Sequence, residues 1–246
     1  MTDQSAAVES SSRRFAHERG IALVMALLVT AFLSALALGV ALAVFMDRLA
    51  NGNMTGSVGM LYAADAGIGM TANDLARLPD WSAVLAGAVQ GTFTDGAAVG
   101  VHAIPGGGVV DLTATTNLLN CGKPTTCTNA QMNASSSDRP WGANNPRWTL
   151  FTYGPMTNVA GVTRPVPCFL AVWVGDDPRE QDGNPLVDAP ARAAPGHEIV
   201  RVHAEAFGYA GGRRVLEAEV ARVCPGSPCV GGIRVQSWQE LRQALP

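Results

Sequence analysis

Oxygen-bearing side chains cluster in one short segment of the second half of the chain, just after an apolar run. Gly183 and Pro185 are turn formers within this segment, so its side chains can converge on one point. Calcium is a hard cation that takes about six to eight oxygen ligands, many of them carboxylates. The candidate calcium ligands are Asp176, Asp177, Glu180, Asp182, Asn184 and Asp188. The segment does not match the EF-hand pattern, and the alternative is a solvated acidic turn whose side chains hydrogen-bond their own backbone.

The cysteines suggest a second kind of chemistry. Cys121 lies close to Cys127, and Cys224 lies close to Cys229, with Pro and Gly between the members of each pair. This spacing predicts two small disulfide-closed loops, provided that this part of the chain lies outside the cytoplasm. Zinc is the alternative, but neither spacing is C-x2-C and no His lies near either pair. Cys168 stands in an apolar run, which predicts a buried strand thiol.

Catalytic and nucleic-acid-binding signatures are missing from the sequence. It has no G-x-S-x-G, H-E-x-x-H or P-loop motif, and its four histidines are scattered. A Ser-His-Asp arrangement can still assemble from distant positions, but no residue pattern selects one. The net charge is −3, without a basic stripe, which argues against a nucleic-acid partner. We therefore expect a non-enzymatic protein. Of its tryptophans, Trp141 is the one we most expect at the surface, where it can support a sugar or adhesion platform.

These residues need a framework, and the apolar patterns predict a β-rich one. The segments 199–206 and 214–222 alternate between apolar and polar residues around a Gly-rich turn, which predicts an antiparallel hairpin. The nearly continuous apolar segment 168–174 predicts a strand buried on both faces. Further strands are predicted at 99–104, 108–112, 147–153 and 233–238, and residues 121–145 are predicted to be a long surface loop.

The N-terminal part of the chain is different, because Ile21 to Met46 form one uninterrupted apolar run. As a helix this run is about 39 Å long at about 1.5 Å per residue, whereas a bilayer core is about 30 Å thick. A secretory signal peptide is shorter and ends in a small-residue cleavage site, which this run lacks. A plain signal anchor fits the length. Arg13, Arg14 and Arg19 precede the run, which predicts an N-terminus in the cytoplasm and the remainder across the membrane.

The junction Arg19-Gly20-Ile21-Ala22-Leu23-Val24 resembles the class III signal of type IV pilins and type II secretion pseudopilins. The resemblance implies that a prepilin peptidase cuts after Gly20, that Ile21 becomes the methylated N-terminus, and that the apolar helix is kept. Most pilins have a glutamate at the fifth mature position, where this chain has Met25. In this respect the chain resembles the K-type pseudopilin and some PilX-type minor pilins, which lack the glutamate and lie at or near the fibre tip.

A second resemblance follows the apolar run. The stretch Ala63-Ala64-Asp65-Ala66-Gly67 is similar to the Ala-Ala-Glu-Ala-Gly stretch of PilX-type proteins. Around it, apolar residues recur every three or four positions, which predicts an amphipathic helix with Asp65, Asp74 and Arg77 off the apolar stripe. Because each Gly costs about 1 kcal/mol in a helix interior, a kink or melted turn is expected between Asn51 and Gly56.

Together these features predict an α+β, pilin-like protein, with a long N-terminal transmembrane helix packed on an antiparallel β-sheet head. Its expected parts are a leader (1–20), a membrane and assembly helix (21–46), a helical continuation (47–79) and a disulfide-containing head (80–246). The resemblance implies a minor pilin or pseudopilin in the bacterial inner membrane, with its head in the periplasm before it joins a fibre. Its expected partners are prepilin peptidase and other pilin or pseudopilin subunits, and some pseudopilins bind calcium in such loops. The alternative is a membrane-anchored periplasmic binding domain that does not polymerise.

Overall fold

The computed structural model describes residues 5–158, 167–188, 196–223 and 232–241. The chain divides into two compact units, residues 1–54 and 55–246. A long N-terminal helix and a five-stranded antiparallel sheet are its main elements. The predicted α+β class, with one long apolar helix ahead of an antiparallel sheet, is therefore confirmed.

Helix α1 spans Ser5–Arg77 without a break. The melted turn predicted between Asn51 and Gly56 is wrong, because both residues lie in helix. The cost of each glycine, about 1 kcal/mol, is small for a long cooperative helix. The helix ends at Arg77 because Pro79 disfavours helical backbone at the residue before it.

The C-terminal part of α1 buries the predicted apolar stripe against the sheet. Ala64, Ile68 and Leu75 are buried in the main core, as the periodicity predicts. Asp74 was predicted to lie off this stripe, yet it is only 5% exposed. Its carboxylate accepts hydrogen bonds from the Thr92 backbone N–H at 2.7 Å and from the Thr92 hydroxyl at 3.0 Å. These bonds explain how a charged group is buried here, because each satisfies part of the carboxylate's hydrogen-bonding capacity.

The sheet is a simple meander in which each strand pairs with the next along the chain. The predicted hairpin is formed by the third and fourth of its strands. All five strands are found near their predicted positions: β3 Thr149–Pro155, β4 Cys168–Asp176, β5 Ile199–Gly208, β6 Arg213–Val223 and β7 Gly232–Glu240.

Strand β4 is buried along its whole length, as its continuous apolar sequence predicts. Alternate side chains point to opposite faces of a strand. Leu170 and Val172 therefore face the core that includes α1, while Phe169 and Trp173 belong to a second core on the other face. A small helix, α2 Ser82–Leu85, contributes Val84 and Leu85 to the first core.

The second face is covered by elements from the middle of the chain. Strands β1 Val101–Ala103 and β2 Val109–Asp111 pair antiparallel, and they lead into helix α3 Leu112–Cys121. Asp111 begins this helix, because its side chain accepts a hydrogen bond from the Ala114 backbone N–H at 3.0 Å. Helix α3 was not predicted from the sequence. The region predicted as a surface loop also contains a short helix, α4 Asn129–Met132.

Candidate functional site

The predicted processing junction lies within α1 and is accessible. Ile21 is 57% exposed and Met25 is 60% exposed. No described atom lies within 4 Å of the position that a Cβ on Gly20 would take. A larger residue at position 20 therefore meets no steric obstacle within the described part of the chain.

The apolar part of α1 is exposed on every side. All side chains from Gly20 to Gly56 are exposed, and the helix is long and apolar enough to cross a membrane by length and composition. Signal sequences and core helices of soluble proteins meet the same criterion of length and composition. Core helices are mostly buried, whereas the most apolar window of this helix has none of its residues buried. A helix that is apolar all round is stable only when lipid or other protein covers it.

One predicted disulfide is present in the head. The Sγ atoms of Cys121 and Cys127 lie 2.01 Å apart, which is bonding distance, so this pair joins the end of α3 to the following loop. Cys224 and Cys229 lie outside the described residues, and their pairing remains a prediction. Cys168 is a free, buried thiol, and burial raises its pKa to about 12.

The acidic segment brings together only part of the predicted ligand set. Asp176, Glu180 and Asp182 each offer a carboxylate oxygen, and these three oxygens lie within 4.8 Å of one another. Asp176 ends β4, and Glu180 ends the short 3-10 helix Pro178–Glu180. Gln181 then adopts left-handed backbone with φ 54°, which reverses the chain and places Asp182 beside the other two.

The other three predicted ligands have different contacts. Asp177 pairs with the Arg179 guanidinium at 2.8 Å, so its carboxylate already has a cationic partner. Asp188 accepts a hydrogen bond from the Glu198 backbone N–H at 2.8 Å. Asn184 is exposed, and its backbone N–H donates to Asp182 at 2.7 Å. The predicted set of six therefore includes a compact group of three, with Asp188 next to it.

Electrostatics mark Asp176 as the unusual member of this group. It is 3% exposed, and its Oδ1 atom has no hydrogen-bond partner among the described residues. Burial, followed by the nearby charge of Glu180, raises the pKa of Asp176 to about 8. Burial also raises the pKa of Asp188. Both carboxyls are therefore held where the negatively charged form is disfavoured.

A second polar cluster, which the sequence analysis missed, lies on the hairpin. His203 is 4% exposed, and its two ring nitrogens lie 2.8 Å from Glu205 Oε1 and 3.0 Å from Glu217 Oε1. Arg213 also pairs with Glu205, and Arg201 pairs with Glu217 at 3.3 Å. The hairpin register sets His203 directly opposite Glu217, and the sequence pattern predicted the hairpin but not this register.

The charges in this cluster support one another. Burial alone would lower the pKa of His203, but the hydrogen bonds and charges of Glu205 and Glu217 outweigh it and raise that pKa. Burial likewise opposes ionisation of Glu205 and Glu217, yet His203 and the neighbouring arginines lower the pKa of both. The cluster is thus a buried network in which the imidazole of His203 lies between two carboxylates that favour its charged form.

Next to this cluster the head has a cavity of about 840 Å³. His203, Glu217 and Arg201 lie in its wall together with Trp141 and Trp148. Trp141 is 37% exposed, and the Arg201 guanidinium lies 5.5 Å from the centre of its ring. Trp141 therefore lies at the surface as predicted, and Trp238 on the edge strand β7 is also exposed, at 49%.

Comparisons of this chain with protein-family models, with curated proteins and with solved structures gave no match.

Proposed function

We propose that this chain is a non-enzymatic minor pilin or pseudopilin that primes assembly, or caps the tip, of a type IV pilus-like fibre. The observation that carries the proposal is the apolar helix that follows Arg19-Gly20 and has its side chains exposed through Gly56. Such a helix needs two kinds of apolar surroundings in a fibre subunit. Lipid covers it before assembly, and the equivalent helices of neighbouring subunits cover it afterwards.

The lack of an acidic residue at position 25 supports a place at the end of a fibre rather than a repeated place within it. Met25 is apolar, so it can lie in the hydrocarbon core without the polar partner that an intramembrane carboxylate requires. A repeated subunit of the commoner pilin pattern uses such a carboxylate to pair with the N-terminal amine of its neighbour. A subunit at the end of a fibre lacks a neighbour on one side. If that is the side on which the carboxylate would pair, the subunit does not need the glutamate.

In this proposal the leader lies in the cytoplasm, where prepilin peptidase cuts after Gly20 and exposes Ile21. Arg13, Arg14 and Arg19 favour that orientation because basic residues flanking a span stay on the cytoplasmic side. The head then lies in the periplasm, an oxidising compartment where a disulfide such as Cys121–Cys127 is stable. Its partners are the inner membrane and other pilin or pseudopilin subunits.

The cavity beside His203 favours one alternative function. A membrane-anchored periplasmic protein that binds a ligand in its head, without forming fibres, also needs an apolar helix and a concave site. The cavity of about 840 Å³ is in the size range of small-molecule sites. The two functions differ in what happens at Gly20, since a plain anchor is not cut there.

A matched pair of glycine substitutions tests the proposal. Gly20 and Gly39 are both helical, and at neither position would an added Cβ meet a described atom within 4 Å. In bacteria with a prepilin peptidase, we expect Gly20→Val to keep residues 1–20 and to be excluded from the sheared fibre fraction. Gly39→Val should be cut normally. Intact-mass measurement of the purified proteins shows each product.

Cutting of both variants, or of neither, would contradict cleavage at Gly20. If the wild type also keeps its first residue and stays in the membrane fraction, the non-polymerising anchor is the better account.

A further inference from the structure

We infer that the cavity beside His203 binds a saccharide that carries a carboxylate group. The volume of the cavity, about 840 Å³, lies in the upper part of the range of about 300–1,000 Å³ found for small-molecule sites. Its wall combines two tryptophans, Trp141 and Trp148, with charged, hydroxyl and amide side chains. A head with such a site can stand on a fibre tip or on a plain membrane anchor, so the inference does not depend on which of the two functions holds.

Trp141 gives the cavity an aromatic surface. It is 37% exposed, and the Arg201 guanidinium lies 5.5 Å from the centre of its ring. The face of an aromatic ring carries partial negative charge. It therefore attracts the weakly positive C–H groups that cover the flat side of a pyranose ring. The exposed part of Trp141 is thus suited to hold a sugar ring at the cavity wall.

Arg201 is the group that receives the carboxylate of the saccharide. Its side chain is 19% exposed and forms part of the cavity wall. Among the described residues, only its Nη2 atom has a hydrogen-bond partner, which is Glu217 at 3.3 Å. The contacts with Glu217 and Trp141 hold the guanidinium in place and leave its other N–H groups for a ligand. Two such N–H groups match the two oxygens of a carboxylate, which makes this pairing strong and directional.

Arg139 adds a second cation to the same wall. Its guanidinium donates to the backbone carbonyls of Leu119 at 2.6 Å and Pro146 at 3.0 Å, and it forms no ion pair with a carboxylate of the described side chains. Burial, followed by the charge of Arg147, lowers the pKa of Arg139 to about 10, so Arg139 is still charged at neutral pH. A negatively charged ligand in the cavity offsets this unpaired charge.

The acceptors in the wall distinguish a saccharide from a simple organic acid. Glu217 and Asp138 both lie in the wall, and Glu217 is held at 3.0 Å by His203, which is only 4% exposed. Ionised carboxylates only accept hydrogen bonds, whereas a hydroxyl group both donates and accepts. Sugar hydroxyls can therefore donate to Glu217 and Asp138 and can also bond Gln131 and Ser136 in the same wall. A ligand with a carboxylate alone would be repelled by the two acids.

Binding to a glycan array tests the inference. The labelled full chain in detergent is applied to saccharides that contain uronic or sialic acid, each paired with its neutral counterpart. We expect the acidic saccharides to be retained, and their neutral counterparts to be bound at least tenfold more weakly. Retention of no saccharide, or equal retention of both classes, would overturn the inference. Such a failure would leave cleavage at Gly20 unaffected, because the array does not require a fibre.

Matched variants locate the site by calorimetric titration with the acidic saccharide that the array retains most strongly. We expect Trp141→Ala to weaken binding at least tenfold, whereas Trp238→Ala, which changes an exposed tryptophan outside the cavity wall, should bind as the wild type does. Arg201→Gln should also lose at least tenfold, because a charge-assisted pair is lost. Its control is Arg234→Gln, at an exposed arginine of β7. Unchanged binding by Trp141→Ala, or by Arg201→Gln with the melting temperature of the wild type, would overturn the site.

Discussion

Gly67 offers a sensitive test of how α1 packs on the sheet of the head. A Cβ added at Gly67 would lie 2.9 Å from Leu170 Cδ1 and 2.9 Å from Val172 Cγ2, which are both side chains of β4. Gly69 lies two residues further along the same helix. No described neighbour lies within 4 Å of the position that a Cβ on Gly69 would take. The same substitution at these two positions should therefore have opposite effects on stability.

The magnitudes follow from two opposing effects. Replacing a helical Gly with Val gains about 0.4 kcal/mol of helix propensity at either position. At Gly67 the valine also overpacks the core, which costs about 1–3 kcal/mol because Leu170 and Val172 must move. We therefore expect Gly67→Val to lose about 0.6–2.6 kcal/mol net and Gly69→Val to gain a few tenths.

Thermal unfolding of the detergent-solubilised full chain measures this difference. For a protein of this size about 1 kcal/mol shifts the midpoint by about 2–4 °C, so Gly67→Val should melt about 1–10 °C lower and Gly69→Val about 1 °C higher. Fluorescence reports the transition, because Trp81 and Trp173 are fully buried in the head. If both variants melt at the same temperature, α1 does not pack on β4 through Gly67 and the described core is wrong.

Two further predictions concern the head. His203→Gln should destabilise the protein more at pH 6 than at pH 9, as measured by urea unfolding. Because the pKa of His203 is raised in the folded protein, protonation of this residue stabilises the folded state. The stabilisation is complete below the unfolded pKa of 6.5, and it is lost as pH rises through the pKa of the folded protein. An equal loss at both pH values would contradict the raised pKa of His203. Cys121→Ser should cost about 2 kcal/mol, because the disulfide closes a loop of sequence separation 6. The reduced wild type should melt at the variant's temperature, and a variant that melts like the oxidised wild type would refute this contribution.

The sheet could be predicted from sequence because its signals are local. Alternating residues identified β5 and β6, and a continuous apolar run identified the fully buried β4. Helix α3 was missed because Thr115 and Thr116 lower helix propensity. Its start signal was present in Asp111, which caps the helix, but that residue had been assigned to the end of a strand.

The polar sites were predicted less completely, because their geometry depends on contacts that sequence spacing does not show. Asp176, Glu180 and Asp182 come together, whereas Asp177 was predicted as a ligand and instead pairs with Arg179 two residues later. Asp74 was expected off the apolar stripe of α1, and its burial depends on Thr92 in a distant loop. The His203 cluster requires the register of β5 against β6, which the sequence alone did not supply.

The mature N-terminus tests the central claim most directly. Edman degradation or terminal mass spectrometry of the wild-type chain, purified from bacteria that carry a prepilin peptidase, gives its first residue. The account predicts N-methylated Ile21, followed by Ala22, Leu23 and Val24, with the apolar helix retained. A chain that still begins at Met1, or one that has lost the whole apolar run, would contradict it.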